Sequence, residues 1–117
     1  MSWRIEHSAL RATLTAVPEA FVTAMTHGTM RFLLFAPLES DTQQPHLQDE
    51  LYIVSRGSGW FMRGEQRQTF ETGDALFVPA GMVHRFEDFT LDFETWVVFW
   101  GPRGGEATAP ILNEAGL

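Results

Sequence analysis

Two short segments of the chain carry the side chains best suited to chemistry. The first contains His46 and Glu50, and the second contains His84. Two imidazoles and one carboxylate form a donor set that suits Fe(II), Mn, Ni or Zn and leaves further coordination positions open. These residues therefore offer the ligands for one divalent metal ion, and they do not select among these metals.

The spacing of these residues restricts the kind of structure that can bring them together. At about 3.3 Å per residue, His46 and Glu50 on one straight strand would lie roughly 13 Å apart, whereas the ligands of a metal ion lie about 2 Å from it. The chain must therefore bend between the two residues. His84 is distant in sequence and can join them only if the sheet curls over, as it does in a small β-barrel.

The pattern of the whole chain also favours a β-barrel or β-sandwich, because short apolar segments alternate with turn residues about every 8–12 positions. We expect no helix, since no stretch combines a cap, a 3.6-residue period and about ten residues without Gly or Pro. We expect a loose arm over the first ten residues, an irregular tail from Gly101, and exposed positions for His7, His27 and Asp49. The predicted strands cover residues 21–25, 30–36, 51–54, 60–62, 66–70, 75–78, 83–86 and 95–100.

The segment that contains His46 and Glu50 and the segment that contains His84 resemble the two signature motifs of the cupin superfamily, in its cupin-2 type. In the first motif a His-x-His pair is followed, after three residues, by Glu and then, after six more, by Gly; His46, Glu50 and Gly57 fit this spacing. The second motif is Gly-x5-Pro-x-Gly-x2-His-x3-Asn, which is matched by Gly73, Pro79, Gly81 and His84. The resemblance implies an all-β fold, the cupin double-stranded β-helix or jelly-roll barrel, as a single domain over residues 1–117 with its core at about 20–101.

The resemblance also implies the ligand set of the metal site. It makes His46, Glu50 and His84 the ligands of one divalent ion, with Fe, Mn, Ni and Zn all compatible. Gln44 stands where the motif has the first His of its pair and shares strand phase with His46, which makes it a candidate fourth ligand, although an amide binds metals only through its carbonyl oxygen. Asp88 replaces the Asn that closes the second motif.

Alternation along the strands indicates the walls of a pocket. Residues in phase with Glu50 or with His84 are expected to face the same side as these ligands, and Arg31, Leu33 and Phe35 share one face of an early strand. The pocket-lining candidates are Tyr52, Met82, Phe86 and Trp100. An apolar, aromatic pocket beside a metal ion suits a small organic ligand, such as an organic acid, a sugar-like molecule or an aromatic compound.

Composition excludes several other kinds of function. The 117-residue chain has no Cys, and all 8 of its basic residues are Arg, which excludes disulfides, thiolate metal sites and Schiff-base chemistry through Lys. A net charge of −7 opposes binding to nucleic acid or to anionic membranes. No apolar run approaches the roughly 18 residues of a membrane span, and none near the first residue resembles a signal peptide, so a cytoplasmic protein is expected.

Three functions remain open at this point. The leading hypothesis is a metal-dependent cupin that binds a small organic molecule, as a dioxygenase or an isomerase, with the metal as Lewis acid or oxygen activator. The alternatives are a non-catalytic sensing or storage module that uses the same pocket, and a structural barrel without a metal, because one fold hosts many functions. We also expect a homodimer, since the apolar strand predicted at Met30–Ala36 would gain from a second subunit that covers a sheet edge.

Overall fold

Two antiparallel sheets form the framework of the computed structural model, which describes residues 3–107. The five-stranded sheet has the order β1-β2-β8-β3-β6, and the three-stranded sheet has the order β5-β4-β7. The chain crosses repeatedly between the two sheets, as it does in a jelly-roll barrel, which confirms the predicted all-β fold. The elements are α1 His7–Thr15, β1 Phe21–His27, β2 Met30–Phe35, β3 Asp49–Arg56, β4 Ser58–Arg63, β5 Gln66–Glu71, β6 Ala75–Val78, β7 His84–Glu87 and β8 Glu94–Trp100.

Aromatic side chains fill much of the space between the sheets. Phe86 lies at the centre of this core, with its ring centroid 4.6 Å from that of Phe93 and 4.8 Å from those of Tyr52 and Phe61. Such tilted and edge-on contacts add to the stabilisation that comes from burying apolar surface. The buried cluster consists of Leu33, Tyr52, Val54, Phe61, Phe70, Val78, Phe86, Phe93, Val97 and Phe99.

The prediction that the chain forms no helix is wrong near its N-terminal end. Helix α1 has nine residues and no side-chain cap at its start, and so short a helix is marginal by itself in water. Tertiary contacts hold it instead: Arg11 donates to buried Glu94 at 2.8 Å, and His7 pairs with the same carboxylate. His7, expected to be exposed, also packs on Trp96 with ring centroids 4.6 Å apart.

Helix α1 is short compared with a membrane-spanning helix. Within residues 3–107, α1 is the one helix, and its nine residues are too few to cross a bilayer.

Strand β2 is not an edge of its sheet. It pairs with β1 on one side and with β8 on the other, so the edge that we expected at Met30–Ala36 is not there. The edges of this sheet are β1 and β6. The homodimer stays a prediction, and its original reason is wrong.

Candidate metal centre and cavity

His46, Glu50 and His84 meet at one end of the barrel. Glu50 is the second residue of β3, His84 begins β7 in the other sheet, and His46 lies in the irregular segment before β3. Their donor atoms lie within 4.8 Å of one another. Ligands with bonds of about 2.0–2.2 Å to one ion lie at most about 4.4 Å apart, so the three side chains must draw closer together for all of them to bind one metal.

The buried polar atoms of this group lack partners. His84 Nδ1 donates to the backbone carbonyl of Met82 at 2.8 Å, which in the neutral ring leaves the lone pair of Nε2 free. Nε2 lies 3.0 Å from Glu50 Oε1, yet neither this nitrogen nor either Glu50 oxygen forms a hydrogen bond with any described residue. A carboxylate oxygen and an imidazole nitrogen this close in a buried place are held together either by a proton on the imidazole or by a metal ion, so these residues fit a metal ion.

Burial and charge shift the pKa values of the two imidazoles in opposite directions. Burial lowers the pKa of His46, and the nearby Glu50 carboxylate offsets this only in part. Burial also acts to lower the pKa of His84, but Glu50 and the Met82 carbonyl outweigh it and the pKa is raised. Metals bind the neutral imidazole. A metal ion would therefore compete with a bound proton more strongly at His84 than at His46.

Gln43, rather than Gln44, lies beside the candidate ligands. Gln44 is exposed and belongs to no strand, so the prediction that it shares strand phase with His46 is wrong. Gln43 Oε1 instead accepts a hydrogen bond from the Tyr52 hydroxyl at 3.0 Å, and it also lies 3.0 Å from His46 Nε2, which donates to it when that nitrogen carries the proton. The Gln43 amide nitrogen donates to buried Asp41 at 2.6 Å, which fixes the amide with its oxygen towards the site.

A cavity of about 270 Å³ opens beside the candidate ligands. Its wall is largely apolar, with polar groups gathered near Glu50. The lining residues are Phe21, Arg31, Leu33, Phe35, Gln43, His46, Glu50, Tyr52, Val97 and Phe99. Burial beside Glu50 raises the pKa of Tyr52 well above its usual value, so this hydroxyl stays neutral and can donate a hydrogen bond.

The other pocket candidates lie elsewhere. Phe86 lies in the core behind Tyr52, and Met82 packs at the edge of that core. Trp100 lies on the outer face of β8, where its ring centroid is 6.2 Å from that of exposed Phe77, while the next residue, Phe99, lines the cavity. The prediction that Trp100 lines the pocket is therefore wrong, because alternation groups residues by face without saying which face is the inner one.

Hydrogen bonds tie together the loops that carry the site. The Gly81 amide donates to the His46 carbonyl at 2.7 Å, and Gly81 has a φ of 82°, which favours glycine. Asp49, expected to be exposed, is buried and accepts from the amides of Ala80 at 3.0 Å and Glu106 at 2.9 Å. The loop before His84 is thus bonded to both ends of the segment that carries His46.

Comparison with known proteins agrees with this geometry. The family model for the Cupin domain matches residues 31–92, a range that includes all three candidate ligands. The chain belongs to the cupin family.

Individual relatives of this cupin extend the comparison. An uncharacterised protein of Streptomyces coelicolor is 36% identical over 63 residues, which are 54% of this chain and 60% of the relative. The chain thus spans less than two thirds of that protein's length.

Solved structures share the fold at low identity. A protein of Bacillus halodurans has a TM-score of 0.68 with 13% identity, over 87% of this chain and 83% of that one. A Cupin 2 conserved barrel domain protein from Salinispora arenicola has a TM-score of 0.65 with 19% identity, over 86% and 89%. Identities this low show a shared fold and nothing about the ligand.

The motif departures of this cupin preserve its backbone. Asp88, in place of Asn, has a φ of 48°, a conformation that Asn and Asp adopt more readily than other non-glycine residues. Gly57 has a φ of 83°, and a Cβ there would lie 2.8 Å from Phe93 Cα, so no larger residue fits.

Sequence reasoning missed Asp41 and Gln43, because a buried acid in a polar loop cannot be told from an exposed one by sequence alone.

Proposed function

We propose that this cupin binds one divalent metal ion through His46, Glu50 and His84, and a small organic molecule in the adjoining cavity. The supporting observation is the set of buried acceptors without partners: both Glu50 oxygens and His84 Nε2, within the part of the chain that the structure describes. A buried carboxylate without a partner is strongly unfavourable, and a divalent cation removes that penalty.

The residues fit the metals that imidazole and carboxylate prefer, which are Fe, Mn, Ni and Zn. When bound, such an ion supplies Lewis-acid or oxygen-activating chemistry, which is the chemistry of an isomerase or a dioxygenase. The chain contributes the rest: Gln43 positions the Tyr52 hydroxyl, and the apolar wall excludes water from the bound molecule.

One observation favours the non-catalytic alternative. Apart from the candidate ligands, the described cavity wall has only Tyr52 and Arg31 as titratable groups, and neither is a base near neutral pH. A sensing or storage module needs no such base. Metal and ligand binding without turnover, and without O₂ consumption, would identify this alternative.

Elemental analysis of the purified protein tests the metal proposal. The wild type and His27→Ala, which changes an exposed histidine at the end of β1, should each hold about one equivalent of metal. His84→Ala should hold none while its β-sheet circular dichroism is retained. His84→Gln, closer in size, replaces it if the alanine variant does not fold. Full metal content in a folded His84 variant would contradict the proposal.

A further inference from the structure

We infer that the molecule bound in the cavity carries a carboxylate group, which Arg31 binds. This inference rests on the proposed function, because the cavity is placed beside the proposed metal. It names the chemical class of the ligand: a small carboxylic acid whose remaining atoms are apolar.

Strand geometry places the exposed Arg31 at the mouth of the cavity. Arg31 and Leu33 lie on the same face of β2, and both line the cavity. Across the sheet, Arg31 is opposite Phe99 of β8, and Phe99 is opposite Glu50 of β3. The backbones of Arg31 and Glu50 are therefore two strand spacings apart, roughly 10 Å.

The Phe99 ring links the guanidinium to the candidate metal ligands. Arg31 Cζ lies 4.7 Å from the centroid of this ring, and the His46 ring centroid lies 4.8 Å from it. Stacking on an aromatic face restrains the guanidinium and leaves its N–H groups free to form hydrogen bonds. A ligand at the metal position is thus within reach of a charged group that is already oriented.

Arg31 has no acidic partner among residues 3–107. The contrast with Arg67 is informative, because Arg67 also stacks on a ring, that of Trp60 at 4.3 Å, but forms ion pairs with Glu87 and Asp88 at 2.9 and 2.8 Å. The guanidinium fork matches a carboxylate in two parallel hydrogen bonds. In Arg31 this fork is available to a ligand.

The charge balance of the cavity also favours an anion. Glu50 is the one acidic side chain among the residues that line it. Asp41, which accepts from Gln43 behind this wall, adds a second negative charge. A divalent ion and Arg31 would bring three positive charges against these two, in a chain whose net charge is −7. A monocarboxylate reduces the excess, and its apolar remainder fits beside Leu33, Phe35 and Val97.

A carboxylate fits this wall better than a phosphate ester does. A phosphate carries up to two charges and three strong acceptor oxygens, and Arg31 is the one basic side chain among the described lining residues. Apart from the candidate metal ligands, the Tyr52 hydroxyl, which already donates to Gln43, is the one further side-chain donor with which the described wall could meet the remaining oxygens. A cavity of about 270 Å³ is also at the small end for ligand pockets.

The test measures the binding of matched acids and amides by calorimetry. The probes are benzoate and butyrate, their neutral amides benzamide and butyramide, and phenyl phosphate, each titrated into the Zn²⁺-loaded protein. The wild type should bind each acid roughly 10-fold or more tightly than its amide. Arg31→Gln should weaken acid binding roughly 10- to 100-fold, since it removes charge-assisted hydrogen bonds, and should leave amide binding and metal content unchanged.

Arg56→Gln is the matched control. It removes the same charge six residues along β3 from Glu50, roughly 20 Å away, and should bind the acids as the wild type does. The inference is overturned if the acids bind no better than their amides, if phenyl phosphate binds more tightly than the acids, or if the two Arg variants behave alike. Full metal content in such a protein would still support the proposed metal site. A protein that takes up no metal but keeps an acid preference dependent on Arg31 would support this inference and overturn the metal proposal.

Discussion

Two buried glutamates near opposite ends of the barrel differ in what surrounds them. Glu94, where β8 begins, accepts hydrogen bonds from Arg11, His7 and Ser55, the last at 2.7 Å. Glu50, about six residues away along the paired strands, has a side chain that is 1% exposed and no hydrogen-bond partner for either oxygen in the described chain. The first carboxylate is satisfied by donors from the protein, whereas the second faces the two candidate histidine ligands, as we propose for a metal ligand.

The contrast shows how one residue type serves two purposes in one barrel. Glu94 of β8 binds Arg11 and His7 and so holds α1 against the sheets. If Glu50 is a metal ligand, we expect it to lower the stability of the metal-free protein, because a buried carboxylate without hydrogen-bond donors is unfavourable. A protein retains such a group where binding compensates for it.

Replacing each glutamate by glutamine tests this contrast most strongly. In the metal-free protein, Glu94→Gln should lower the free energy of unfolding by about 3 kcal/mol, because it breaks a buried ion pair from one side. Glu50→Gln should change it by less than about 1 kcal/mol, since a neutral amide is easier to bury than an unpaired carboxylate. Urea unfolding at pH 8 measures both variants.

Metal content should show the reverse order. Glu50→Gln should lose the ion, and Glu94→Gln should keep it. Equal destabilisation by the two substitutions, or metal loss in both, would break the contrast.

The pH dependence of stability sharpens the Glu94 half of the contrast. Burial acts to raise the pKa of Glu94, but hydrogen bonds from Arg11, Ser55 and His7 outweigh it and lower the pKa from the usual 4.5 to about 2. A lowered pKa in the folded state stabilises the protein above the unfolded pKa, and this contribution is lost as the pH falls from about 4.5 towards 2. Its size is about 3 kcal/mol, since a tenfold change in an equilibrium constant is about 1.4 kcal/mol.

The measurement is the difference in unfolding free energy between the wild type and Glu94→Gln at several pH values. The difference should be largest above pH 5 and should shrink steadily down to pH 3. Glu65→Gln, which changes an exposed glutamate in the turn between β4 and β5, should show no such trend. A difference that stays constant with pH would mean that Glu94 is not held ionised by its partners.

These contrasts also show which parts of the molecule can be predicted from sequence. The strands could be predicted because alternation and turn residues are local signals; β6, for example, is observed at Ala75–Val78, where it was predicted. The three candidate ligands could be predicted because the motif spacing encodes the bend before β3. Both Glu50 and His84 lie on strands, where side-chain direction follows the backbone.

The features that could not be predicted depend on contacts between distant segments. Helix α1 forms because Arg11 meets Glu94, 83 residues later in the chain, and no local pattern reports that contact. Asp49 is buried by the tail that donates to it from Glu106. Alternation groups Arg31 with Leu33 and Phe35 on one strand face, but the structure is needed to show that this face lines the cavity and that Arg31 has no acidic partner among the described residues.

The next prediction concerns stability at the Gln43 amide. Gln43→Ala should lower the free energy of unfolding by about 2 kcal/mol, because it leaves the fully buried Tyr52 hydroxyl and one Asp41 oxygen with fewer partners. Gln44→Ala, at the exposed neighbouring position, should change it by less than about 0.5 kcal/mol. Chemical denaturation of the two variants side by side is the measurement, and a larger effect at Gln44 would reverse the assignment of these residues.

The smallest expected effect is that of Gln44→His on metal affinity. The cupin motif alone predicts a gain of roughly 10-fold or more for Zn or Ni, because imidazole is the better ligand for these metals. The structure predicts no gain: Gln44 is exposed in an irregular segment, next to Pro45, and Gln43 holds the position beside His46. Competitive titration of the wild type and the variant against a chelator decides between the two, with agreement within about twofold expected here. A 10-fold gain would mean that the segment 43–46 turns when the metal binds, so that residue 44 reaches the ion and Gln43 no longer contacts His46.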